Sequence, residues 1–217
     1  MRALVVIVAC VVIVLVGARM RPDAGLAAPG TSEISDETRA AGLRFAPSVA
    51  PQDRAWILAA IQAARPEAQQ LIAEVDGLVE IRTDLPSGVA IGLAQLSSDA
   101  AIVNFDLGSL NGDRALDRNV VVLHELGHVV DYQLVPDELV QQLDRGIPRV
   151  GTCQPTAAAL PVGACTVIEE RFADTFAKWA LRGRFSLAGS GYGIPVPASL
   201  EDWGAPLGRL AIQLNVR

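Results

Sequence analysis

Apolar positions change their spacing several times along this chain, and each change marks an element. Met1 and Arg2 precede an unbroken apolar run from Ala3 to Ala18. That run is shorter than the roughly 20 residues of a membrane span, so residues 1–28 read as a signal peptide or an N-terminal membrane anchor. Both readings put the rest of the chain outside the cytoplasm, secreted or held at a membrane by residues 3–18. A polar stretch bearing Gly and Pro follows, and 29–50 reads as a linker. From Pro51 to Arg65, Ala55, Ile57, Leu58, Ile61 and Ala64 keep a helical period with Pro in the first turn. Pro66 interrupts it, and Glu67 to Val75 resumes the pattern.

Leu78–Thr83, Val89–Leu96 and Ala100–Leu107 are short apolar runs bounded by turns, and they predict three strands. Helices are predicted over 117–134, 137–145, 167 to about 181, and 200–214. Between them lie a loop at Asn111-Gly112-Asp113, a loop flanked by Cys153 and Cys165, and a Gly/Pro-rich stretch from Gly183 to Pro197. A small sheet of about three strands, with helices before and after it, makes one α+β domain over 51–217.

Composition changes this picture only in part. A chain of 217 residues that is 51% hydrophobic is long enough for one sizeable core. Its 18 basic and 24 acidic residues give a net charge of −6. Residues 1–28 carry Arg2, Arg19, Arg21 and Asp23, a net +2, so the remainder stands at −8. That balance argues against a nucleic-acid partner and leaves membrane contact only to the N-terminal segment. Lys178 is the only lysine, which reads as a codon bias of the source genome. In an oxidising compartment Cys153 and Cys165 are expected to pair, which stabilises a loop of this size by about 3 kcal/mol.

The chain has two histidines, and they stand four residues apart in His124-Glu125-Leu126-Gly127-His128. Four residues of helix advance about 400°, so both imidazoles leave one face and can share a metal ion. Imidazole nitrogen suits zinc, and a catalytic zinc takes three protein ligands and leaves the fourth position to water. Glu125 follows the first histidine and is placed to take a proton from that water. The third ligand is sought in Thr166-Val-Ile-Glu-Glu-Arg-Phe-Ala-Asp, since no third histidine exists. Thr166 and Glu169 fit a capping box, which gives Glu169 a structural task. Glu170 lies one turn before Asp174, and a ligand followed by a carboxylate suits a site whose imidazoles need an acceptor for their far N–H. Glu170 is therefore the candidate ligand, with Glu169 the alternative. Phe172, Phe176 and Trp179 form an apolar stripe expected in the core. Arg171, Lys178 and Arg182 fall on the face expected to meet solvent. Gly127 in mid-helix predicts close packing of another backbone, and Asp131 lies near the histidine face.

His124 to Tyr132, HELGHVVDY, and Glu170 to Ala177, ERFADTFA, resemble the two motif blocks of the gluzincin metallopeptidases, HExxH and ExxxD. The likeness is to the catalytic domain of anthrax lethal factor and to small secreted zinc peptidases, and the second block is shared with antirepressor-type peptidases. The resemblance covers about twenty residues. It implies a zincin-like domain with one zinc per chain held by His124, His128 and Glu170, and a base at Glu125. It implies a peptide or protein substrate. Lethal factor-like enzymes carry a tyrosine shortly before the third ligand, and here that stretch has none. Tyr192, in Gly189-Ser190-Gly191-Tyr192-Gly193, is the candidate oxyanion stabiliser, while Tyr132 on the motif helix is expected to pack. Ala100–Leu107, just before the motif helix, is the candidate edge strand for an extended substrate. The competing reading is a secreted or surface binding protein that keeps a zinc-stabilised gluzincin scaffold without turnover.

Overall fold

Prolines and capping side chains set the helix ends. The computed structural model describes residues 39–40, 43–75, 77–87, 90–111, 117–149, 167–184 and 194–216, all within the compact unit Ile34–Arg217. The expected leader, the Cys153–Cys165 pair, Thr166 and Tyr192 lie outside these residues. α1 (Pro51–Ala63) and α2 (Pro66–Ala73) each start on a proline, whose missing N–H costs nothing in a first turn. α3 (Leu107–Leu110) is a single turn capped by Asp106, whose side chain accepts from the Ser109 N–H. α4 (Arg118–Leu134) is capped by Asp117, which accepts from the N–H groups of Asn119 and Val120. It ends at Val135, ahead of Pro136. α5 (Asp137–Arg145), α6 (Ile168–Ala180) and α7 (Leu200–Asn215) complete the helices. No helix among the described residues is long and apolar enough to cross a membrane.

The strands are β1 (Arg39–Ala40), β2 (Leu43–Phe45), β3 (Val79–Arg82), β4 (Gly92–Leu96) and β5 (Ala101–Phe105), in the spatial order β1-β2-β3-β5-β4. The class is α+β, with a larger sheet than the three strands expected. β1 and β2 come from the stretch expected to be linker, where two and three residues are too short for alternation to register in the sequence. β2 runs parallel to β3 in the register Leu43↔Val79, and β3 runs parallel to β5. β4 is antiparallel to β5, with Gly92 opposite Phe105 and Leu96 opposite Ala101.

Ala101–Phe105 is therefore an inner strand, and the expectation that it forms the edge is corrected in favour of β4. Burial explains the order. β5 alternates buried Ala101, Val103 and Phe105 with half-buried residues, whereas every residue of β4 is half-buried or exposed. Such a strand suits an edge. Leu43, Phe45, Val79, Ile81, Val103 and Phe105 turn one face of the sheet into the core shared with the helices.

α4 packs against α6, α1 and β4. The α4–α6 approach is closest at Gly127, where an added Cβ would lie 3.1 Å from the Ala173 Cα and 3.3 Å from its carbonyl oxygen. The close backbone expected from a mid-helix glycine is thus the backbone of α6. Phe172, Phe176 and Trp179 lie in the core. Arg171 and Lys178 do not meet solvent as expected, since both are buried, and only Arg182 of the three is exposed. Arg171 donates to Asp144 at 2.6 Å and to the Ile147 carbonyl at 2.8 Å, tying α6 to the end of α5. A buried guanidinium needs such partners, and helical spacing within α6 says nothing of groups supplied by α5.

Gly127→Val is expected to destabilise the fold by about 1–3 kcal/mol, because overpacking against Ala173 outweighs the roughly 1 kcal/mol or less gained over glycine in helix propensity. Urea unfolding of the variant and the parent protein measures it, and an unchanged midpoint would show that the two helices can separate without cost.

Candidate metal centre

α4 presents His124 and His128 one turn apart, and α6 brings Glu170 to them from its first turn. His124 Nε2 lies 3.2 Å from His128 Nε2 and 3.2 Å from Glu170 Oε2, and His128 Nε2 lies 3.7 Å from that oxygen. These three residues are the one group of metal-ligand type found among the described residues. Zinc at about 2.0–2.1 Å from tetrahedral ligands keeps donor atoms about 3.3 Å apart, so this triangle has the size that zinc requires. His124 is buried, while His128 and Glu170 keep a partial opening to solvent. Glu169, the alternative ligand, is exposed. The N-cap of α6 is Val167, and the Thr166 of the expected capping box lies outside the described residues.

The charges of the site oppose one another. Burial raises the Glu170 carboxyl, but hydrogen bonds from His124 and His128 outweigh it and hold the carboxyl well below its ordinary range. Burial pulls the His128 imidazole down, and Glu170, Glu125 and Asp131 more than reverse it, so its pKa is raised. Burial lifts the Glu125 carboxyl above the usual carboxylate range, against the pull of both imidazoles.

The Glu125 carboxylate reaches β4 of the sheet. The Ala94 backbone N–H donates to its carboxylate, and a Cβ on Gly92 would lie 2.5 Å from Oε1 and 2.7 Å from Cγ. The carboxylate occupies the space that any side chain at position 92 would need. The hydrogen-bonding register makes this contact possible. Asp106 N–H donates to the Ile91 carbonyl at 3.0 Å and Ser97 N–H to the Ala100 carbonyl at 2.9 Å. Antiparallel pairs alternate, so the Leu93 and Gln95 backbones bond β5, while Gly92, Ala94 and Leu96 turn theirs to the open edge. Gly92 and Ala94 are neighbours of the Glu125 carboxylate that the sequence reading passed over. Their available signal was a glycine inside an otherwise apolar strand, which marks a close approach.

Asp174, expected to orient an imidazole, is wholly buried one turn beyond Glu170. Burial raises its carboxyl, opposed first by Lys178 and then by His124, so His124 is the imidazole whose charge it feels. Asp131 is buried on α4, where its charge reaches His128, and Tyr132 is half-buried. Comparison with protein-family models, with curated proteins and with solved structures returns no match. The gluzincin likeness accordingly rests on the two short sequence blocks alone.

Elemental analysis of the purified protein is expected to find about one zinc per chain. Glu170→Ala and His124→Ala should each lose it on dialysis, whereas Glu169→Ala should keep it. Retention by Glu170→Ala, or loss from Glu169→Ala, would reverse the ligand assignment.

Proposed function

We propose that the protein is an exported zinc-dependent peptidase of zincin-like fold, with His124, His128 and Glu170 as ligands and Glu125 as general base. The observation that carries the reading is the triangle of His124 Nε2, His128 Nε2 and Glu170 Oε2, with sides of 3.2, 3.2 and 3.7 Å. Two neutral imidazoles and one carboxylate are a donor set that zinc favours. Held by His124, His128 and Glu170, a zinc ion would supply acidification of a water molecule and polarisation of a carbonyl oxygen.

The remaining work falls to the chain. Glu125 is one residue from His124, and its raised pKa moves it toward the range in which a carboxylate both accepts and returns a proton near neutrality. It takes the proton of the attacking water and delivers it to the departing amide nitrogen. The outer position of β4 supports a peptide as substrate, because an extended chain can add beside Gly92 and Leu96, whose backbones turn away from β5, while the Ala94 N–H is held by Glu125. Gly92 and Ala94 also touch Glu125, so a peptide bound along β4 has its backbone beside the base. Burial of His124 and Glu125 restricts water around them, which strengthens every charge interaction that the reaction needs.

Glu125→Gln should keep its zinc and lose about 10²–10⁴-fold in the cleavage of a mixed peptide library. Equal cleavage by wild type and variant would sink the peptidase reading and favour a zinc-stabilised binding protein. Gly92→Ala should also retain zinc while its turnover falls, because the new methyl group displaces the Glu125 carboxylate. Full turnover by Gly92→Ala would mean that Glu125 does not work from the position it holds against β4.

A further inference from the structure

Every basic residue of the chain is an arginine except Lys178, and Lys178 is 1% exposed. A general bias toward arginine does not explain the one place where it is broken. Glu170, Asp174 and Lys178 follow one another at four-residue spacing and so form a single row along α6. Lys178 Nζ lies 2.5 Å from Asp174 Oδ2 and donates to the Ile194 carbonyl at 2.6 Å. Ile194 is itself buried and stands before α7 in the chain. A carboxylate and a carbonyl oxygen that close together suit a compact ammonium on a flexible stem. The wide planar fork of a guanidinium needs more room and a different arrangement of acceptors.

We infer that Lys178 is a positioning residue for the metal centre: its ammonium fixes the Asp174 carboxylate one turn from Glu170 and pins the Glu170–Asp174–Lys178 row to the Ile194 carbonyl. The inference rests on the metal-site reading given above. A buried carboxylate stripped of its cation moves or becomes neutral. The row that carries Glu170 then loses a fixed support one turn from the ligand, and loss of support around metal ligands costs about 10–100-fold in metal affinity. Lys178 thus governs the centre without touching the metal, through one carboxylate and one backbone carbonyl.

Zinc affinity by chelator competition and the visible spectrum of the cobalt-substituted protein test this on the full chain. The proteins compared are wild type, Lys178→Met, Asp174→Asn and the double variant. Each single variant is expected to bind zinc about 10-fold or more weakly, and the cobalt bands of Lys178→Met are expected to shift. The double variant should bind no more weakly than Asp174→Asn alone, because Lys178 acts through Asp174. A purely structural lysine would lower stability and leave the affinity and spectrum of the folded protein unchanged, and that result overturns the inference. Additive losses overturn it too. Should Lys178→Met fail to fold, the double variant, which removes both buried charges together, is compared with Asp174→Asn, and a further loss of affinity counts against the inference. Wild type that binds no zinc overturns the metal-site reading itself and this inference with it, and the wild-type arm reports that before any variant is compared. Lys178 also carries the only ε-amine in the chain. An amine-directed reagent should therefore leave it unmodified in the native protein, and its ready modification would contradict a locked ammonium.

Discussion

The contact on which the candidate centre depends is the approach of α4 to α6 at Gly127. Two of the proposed ligands belong to one helix and are related by its own geometry, but the third arrives on another, so the distance between the helix axes sets the metal site. Removing the Cβ at position 127 lets the Ala173 backbone come within the space of a methyl group. Phe172, Phe176 and Trp179 then fill the surroundings as a buried cluster. A core packed at near-crystalline density does not adjust freely, which is how a pair of helices can hold donor atoms to a few tenths of an ångström.

Around that contact the chain buries charges that would be costly alone. Arg171 is matched by Asp144, and Lys178 by Asp174. Both pairs use the helix that carries Glu170, one binding it to α5 and the other to the backbone before α7. Ion pairs of this kind add little net stability against a well-packed apolar alternative, yet breaking one by removing a single partner is severe. Their effect here is to hold α6 in one place along two sides while Gly127 fixes a third.

The sheet contributes through its edge. β4 carries Gly92 and Ala94 where larger residues would be ordinary, and the Glu125 carboxylate lies against them. One short strand thus holds the proposed base and offers the only backbone edge of the sheet next to it among the described residues. The proposed base and two proposed ligands on α4, the third ligand on α6 and the outer strand β4 are brought together by one core.

Every helix but the single turn α3, and three of the strands, were legible in the sequence, because apolar period, proline and capping residues act within a few neighbouring positions. The helical relation of His124, Glu125 and His128 was legible for the same reason, since four residues of helix fix it before any folding. The tertiary structure decided what depends on distant partners. β2 joined the sheet by pairing with β3, and β1 by pairing with β2, while β5 went to the interior because its buried face demanded cover that β4 did not. Arg171 and Lys178 looked solvent-facing from the spacing of α6, and partners from α5 and from Ile194 drew them inside. The choice of Glu170 over Glu169 as the residue beside the histidines came from the rotation of α6 against Gly127, a contact between residues 46 positions apart in the chain.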